Sequence, residues 1–265
     1  MEWIWCVIAS VGAGVGTGLA GLSAATVMVP MLIVLCPSFS GETGVYQATA
    51  VALASDVLGS AVATYTYSKN KNINLRRGWL VMVSVLVTCI AGSYVASLVG
   101  NTLLGGFTLF LTLCAGIRFL VRPDTSKNGQ IVNSTRLSRR DVILSLIFGS
   151  IIGFGTGFVG TGGGMLMLIA FSTFFGMEIK TAVGTSTFIM TFTALFASLS
   201  HFAIQPEIIL EKWDVMIACI AVATVSSLIS ARFANRVKTK TIGIVTGAVL
   251  TTLGISMIIL NYFLA

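Results

Sequence analysis

Residues 153–169 read GFGTGFVGTGGGMLMLI, and residues 14–30 read GVGTGLAGLSAATVMVP. At a constant separation, Gly14, Gly16, Thr17, Gly18, Gly21 and Met28 recur as Gly153, Gly155, Thr156, Gly157, Gly160 and Met167. Further along, Ala48-Thr49-Ala50 stands near the place of Gly184-Thr185-Ser186, and Trp79 and Trp213 each open the apolar run that follows. A match kept in order across three places points to an internal duplication. Each glycine stretch lies inside a long apolar run, 3–36 in one half and 142–177 in the other. As single helices these runs would exceed about 50 Å at 1.5 Å per residue. The hydrocarbon core is only about 30 Å thick. Each therefore reads as two shorter helical pieces broken at the glycines.

The rest of the chain calls for the same solvent. Of 265 residues, 55% are hydrophobic and 9% charged, and the mean hydropathy is +0.96. So few charges cannot cover the surface of a soluble globule, and disordered chains are poor in apolar residues. The bilayer remains. Six further apolar runs, at 45–67, 79–100, 103–121, 181–204, 213–232 and 241–264, have the length of simple spans. Trp3, Trp5, Trp79 and Trp213 stand at span ends as an aromatic belt. The start, Met1 to Trp5, lacks a basic region, and the run behind it is too long for a secretory signal. The five cysteines are odd in number and scattered through apolar runs, and read as small buried hydrophobes.

The net charge of +7 is a matter of topology, not of nucleic acid, because Lys and Arg gather on cytoplasmic loops. Three loops qualify: Lys69 to Arg77, Arg122 to Arg140, and Arg232 to Lys240. All three fall on one side only if 142–177 crosses an even number of times. The loop with Glu207 and Glu211 then lies outside, as do both termini. Corresponding loops of the two halves sit on opposite faces, which is the mark of inverted-topology repeats in secondary transporters. The expected fold is thus an all-α polytopic membrane protein of two inverted-topology repeats. Each has a broken or re-entrant Gly-rich first segment plus three spanning helices. The first repeat covers 1–121, a basic cytoplasmic linker 122–140, and the second repeat 141–265.

Candidate functional residues follow from the breaks. Gly160, Thr161, Gly162, Gly163 and Gly164, with their counterparts Gly21, Leu22, Ser23 and Ala24, mark places where a helix stops and restarts. A restarting helix offers unpaired N–H groups and a positive dipole end, an anion site needing no buried Lys or Arg. The alternative is close helix packing through small residues. No Lys-Ser/Thr follows the glycines, so this is not a P-loop. Thr185 and Ser186, with Thr49 in the other half, can complete an oxyanion's shell; helix back-bonding is the plainer use of such hydroxyls. Asp56 lies inside 45–67, where a carboxylate costs a few kcal/mol and is functional by default. It can couple a proton or cation, or pair with Ser60. His201, the one histidine, is a second coupling candidate or an interfacial side chain. No nucleophile–base set and no metal spacing occurs, so neither an enzyme nor a metal or other cofactor is expected.

Gly153 to Met167, Ala182-Val183-Gly184-Thr185-Ser186 and Ser200-His201 resemble the second half of the sulfite exporter TauE/SafE family. In that family each half carries a Gly-rich stretch and then an Ala/Gly-Thr-Ser element. The first half here keeps Val29-Pro30 but has Leu22-Ser23-Ala24-Ala25 where the family prefers glycines. The second keeps the glycines but has Leu168-Ile169 in place of Val-Pro. The resemblance implies a multi-pass transporter of the bacterial inner membrane. Its partners would be the lipid bilayer and a small anionic substrate, sulfite or an organosulfonate, with a homodimer as a possible assembly. Two other readings compete: a membrane scaffold that binds a partner through the basic linker, and an anion channel.

Overall fold

In a computed structural model the described residues are 2–39, 44–97, 113–114, 116–121, 139–159, 163–204 and 207–263. Within them every regular element is helical. The helices are α1 (Glu2–Ala20), α2 (Ala24–Leu35), α3 (Gly44–Lys69), α4 (Leu75–Ser97), α5 (Arg139–Val159), α6 (Gly164–Thr173), α7 (Ile179–Ile204), α8 (Glu207–Arg236) and α9 (Thr239–Phe263). A short helical segment covers 116–121. Most of the stretch expected at 103–121, and linker residues 122–138, lie outside the described residues. Five of the described helices, α1, α3, α4, α7 and α8, are long and apolar enough to cross a membrane. In α8 a kink at Lys212 (φ −124°, ψ 17°) sets the first turns aside, so its apolar span begins beside Trp213.

Both long runs break, as their length demands, and both fold back. Gly21 ends α1 in the left-handed region (φ +62°), where glycine alone is unstrained. Its N–H donates to Thr17 O at 2.9 Å, and the Leu22 N–H to Gly16 O at 3.2 Å. Ser23 is extended and caps α2, its hydroxyl accepting from the Ala25 N–H. The hairpin closes at its open end, where Cys36 Sγ lies 3.6 Å from Cys6 Sγ. In the second half the Phe174 ring lies 4.2 Å from that of Phe148, which brings α6 back along α5. Matching contacts occur 139 residues apart. Thr17 Oγ1 donates to Ala13 O at 3.0 Å, and Thr156 Oγ1 to Ile152 O at 2.7 Å. Gly16 leaves room for Val27, and Gly155 for Leu166.

Glycines spaced two apart on a helix face different ways, and each set meets its own neighbour. Gly12 and Gly16 face α2. Gly14 and Gly18 face α8: a methyl at Gly14 would stand 2.3 Å from Ala223 O, and one at Gly18 2.4 Å from Ser227 O. Ser230 Oγ reaches across to Gly14 O. The same packing joins α5 to α4, where a methyl at Gly153 would stand 2.4 Å from Val85 O. Such small-residue seams let helices approach closely where lipid supplies no hydrophobic drive.

The ends of the bundle sort by chemistry. At one end Asn72 Nδ2 donates to Asn235 Oδ1 (2.7 Å) and Lys180 Nζ to Asn235 O (3.1 Å). This brings together two loops that the charge pattern assigns to one side. At the other end Tyr46 stacks on His201 and Lys212 Nζ donates to Ser38 O. The α5/α6 hairpin opens toward the first end, where Arg77 lies over the Phe175 ring. The α1/α2 hairpin opens toward the second, where Cys219 bonds Cys6. The two hairpins therefore enter from opposite ends. Alanine at Gly14 is expected to lower stability by about 1–3 kcal/mol, since the facing backbone must move. Alanine at Gly59, with 3.9 Å of room, is expected to be neutral or to add up to ~1 kcal/mol of helix propensity. Thermal unfolding of the two purified variants checks this order. Equal midpoints would mean that the α1–α8 seam is not tight.

Candidate functional site

The first break is held by a carboxylate. Asp56 lies at the middle of α3, a helix of 26 residues. It is 1% exposed. Ser23 Oγ donates to Asp56 Oδ2 at 2.7 Å while accepting from the Ala25 N–H. The Ala24 N–H also acts on the carboxylate. Asp56 thus places negative charge at the positive end of α2, where the dipole favours it. Its other oxygen, Oδ1, has no hydrogen-bond partner. One turn on, Ser60 Oγ donates to Asp56 O and receives Thr191 Oγ1 from α7 at 3.2 Å.

The second break is built differently. Gly163 stands at the N-cap of α6 in the left-handed region (φ +61°), and no side chain among the described residues caps the helix. Beneath it the Thr156 hydroxyl fills the space that a methyl would need. The first N–H groups of α6 have no partner within the helix, as at any helix start. In α2 a serine and a carboxylate serve those groups; in α6 no side chain among the described residues does. The positive end of α6 is thereby left to whatever occupies the break. Gly160, Thr161 and Gly162 lie outside the described residues.

The two breaks touch. A methyl on Gly164 would stand 2.4 Å from Gly21 O, 3.0 Å from Ser23 N and 2.3 Å from Met190 Sδ. A methyl on Gly21 would meet Ser186 Oγ at 2.3 Å. Gly21, Ser23, Asp56, Gly163, Gly164 and Ser186 thus form one buried junction, with Leu22 and Ala24 buried between them.

The remaining sequence candidates lie apart from it. Thr185 Oγ1 accepts from the Asn74 N–H and donates to Thr181 O, which ties α7 to the α3–α4 turn. Thr49 is half-buried on α3, two turns before Asp56. His201 stacks on Tyr46 with its Nδ1 3.0 Å from Ala197 O. It stands 15 residues beyond Ser186 on α7, about 22 Å away at helical rise. Thr191 and Met190 were not singled out from the sequence. Thr156 was marked there only as the threonine shared by both GTG copies, and Ser60 only as a pairing partner for Asp56. Cys6, Cys36 and Cys219, scattered in the sequence, converge from three helices with no disulfide among them. Among the described residues no cluster could hold a metal ion.

A family model described as Sulfite exporter TauE/SafE matches residues 6–257. The chain is 25% identical over 277 residues to "Probable membrane transporter protein YunE" of Bacillus subtilis, covering 97% of this chain and 98% of that protein. It is 27% identical over 160 residues, 60% of each chain, to a "Probable membrane transporter protein" of Haemophilus influenzae. The family match runs from the first hairpin through the second and on into α9, and the chain belongs to the sulfite exporter TauE/SafE family, a family of membrane transporters and not of enzymes.

Proposed function

We propose that this protein is a secondary transporter that exports a small sulfur oxyanion, sulfite or an organosulfonate, by alternating access between its two halves. The observation that carries the reading is the start of α6 at Gly163 and Gly164, uncapped by any side chain among the described residues and pressed against the opposite break. A helix N-terminus of this kind binds an oxyanion through backbone N–H groups and dipole. Gly160, Thr161, Gly162 and the Ser186 hydroxyl are the further ligands proposed. Gly21, Leu22, Ser23 and Ala24 form the opposing wall, already engaged with Asp56. Thr185 and Thr49 act on the helices that frame the site.

In this reading residues 1–121 and 141–265 are inverted repeats joined by a cytoplasmic linker, 122–140. Hairpins entering from opposite ends, and the matching α1–α8 and α4–α5 seams, support that layout. So does the positive-inside pattern, which puts both termini outside the bacterial inner membrane. An inside-negative potential of about 100 mV favours outward movement by roughly 2.3 kcal/mol per negative charge. Export of an anion needs no other driving force.

Proteoliposomes preloaded with sulfite, sulfoacetate or sulfate are expected to show saturable counterflow of one labelled anion, with efflux faster under an inside-negative potential. Ohmic current without saturation would instead make the protein a channel, and no flux from folded protein would favour a scaffold. Gly164→Ala pushes a methyl into the junction. It is expected to lower exchange at least about tenfold, the cost of a small misplacement in a site held by geometry. Gel filtration of the variant checks that it is folded. Wild-type exchange by a folded Gly164→Ala protein would move the site elsewhere.

A further inference from the structure

We infer that Asp56 carries a proton whenever the anion is bound, so that anion and proton cross together. The inference rests on the transporter reading above and assigns its coupling ion.

Three observations carry it. The first is position. Asp56 sits at the centre of a spanning helix, wholly buried, at the junction of the two breaks. The second is its incomplete set of partners. Oδ2 is held by Ser23 and the Ala24 N–H acts on the carboxylate, but Oδ1 has no hydrogen-bond partner among the described residues. A buried carboxylate oxygen left bare is costly, and a proton at that atom removes the charge that makes it so.

Among the described residues no cation does the job instead. On α3 itself the titratable groups are Tyr46, Tyr65, Tyr67 and Lys69, and the Tyr67 hydroxyl is spent on Gly18 O. The α1 helix brings Glu2 and Cys6, and α2 has no charged residue, with Cys36 beyond its end. On α7, Lys180 is bonded to Asn235 O and His201 lies beside Tyr46 at the far end. On α8, Glu207, Glu211, Lys212, Asp214 and Cys219 lie toward one end, and Arg232 and Arg236 toward the other. Lys212 is bonded to Ser38 O.

The third observation is the contact between the breaks. Ser23, which holds Asp56, has its backbone nitrogen 3.0 Å from where a methyl on Gly164 would stand. An anion at the start of α6 and an ionised Asp56 would face each other across one turn of chain, in a medium that screens poorly. Each raises the cost of the other. A proton from the water on the loading side, taken up at Oδ1, lifts that conflict, and it leaves to water on the releasing side. No bond other than O–H forms or breaks. Ser23 stays the hydrogen-bond donor to Oδ2 throughout.

The test uses purified full-length protein in liposomes loaded with a pH dye. The labelled probes are sulfate and sulfoacetate, which stay ionised at neutral pH, alongside sulfite. Acid outside is expected to drive uptake of the transported probe and to acidify the lumen in step with it. The accumulation ratio should rise up to about tenfold per unit of pH gradient. Asp56→Asn is expected to lose the gradient-driven part, and Asp56→Glu to regain it. Saturable exchange by the wild type with no proton movement, or with sodium required in its place, overturns the inference and leaves the transporter reading standing. So does an Asp56→Asn protein that follows the pH gradient like the wild type. No exchange by folded wild-type protein overturns the transporter reading, and the inference with it. The wild-type proton measurement decides the matter even if Asp56→Asn does not fold.

Discussion

Everything in this molecule depends on two helix breaks coming within touching distance inside an apolar bundle. Gly164 lies against the Gly21 carbonyl and the Ser23 nitrogen with no room for a single methyl. Backbone polar groups are costly in a membrane unless the chain satisfies them itself. Irregular backbone is therefore tolerated only where protein encloses it. Where they are described, the two hairpins meet, Gly164 against Gly21 and Ser23. The Tyr67 hydroxyl takes Gly18 O, Ser23 caps α2, and the left-handed turns at Gly21 and Gly163 reverse the chain within a few residues.

That junction needs hairpin arms that can approach closely, which explains the long helices around it. Gly14 and Gly18 fit α1 into α8, and Gly149 and Gly153 fit α5 into α4. In each seam the helix of one half lies along a helix of the other. The halves are therefore interleaved, and any relative motion between them slides along seams of Gly, Ser and Ala. Ser230 Oγ on Gly14 O gives the α1–α8 seam a polar register without charge, and Ser227 Oγ on Gly59 O does the same where α8 meets α3.

Much of this was legible in the sequence because it follows from length and composition. Two runs too long for one span, each rich in glycine, had to break. The basic loops ordered the crossings, and Asn72 beside Asn235 agrees with that order. The periodic glycines announced two packing faces. The partner of Asp56 was harder to read. Sequence proximity offered Ser60, one turn away, whose hydroxyl in fact meets the backbone of Asp56. The carboxylate reaches Ser23, 33 residues earlier, across a tertiary contact with no local signature. The convergence of Cys6, Cys36 and Cys219 was hidden for the same reason. Thr185 drew attention by standing beside Ser186, yet neighbours on a helix face different directions. One serves the α3–α4 turn and the other packs on Gly21.

The unequal breaks bear on direction as well as binding. Had both helix ends been bare, two equivalent anion sites would share one junction and repel each other when filled. In the proposed reading Asp56 fills one of them with the protein's own carboxylate, so the junction accepts a single foreign anion. The change from a glycine run to Leu22-Ser23-Ala24-Ala25 in the first half then has a use, since Ser23 holds that carboxylate in place. With one proton aboard, a dianion crosses as one net negative charge, and an inside-negative potential still drives it outward by roughly 2.3 kcal/mol per 100 mV. A monoanion with the same proton crosses without net charge and follows concentration and pH alone. The charge of the substrate, more than any gate in the protein, thus determines whether the membrane potential helps to expel it.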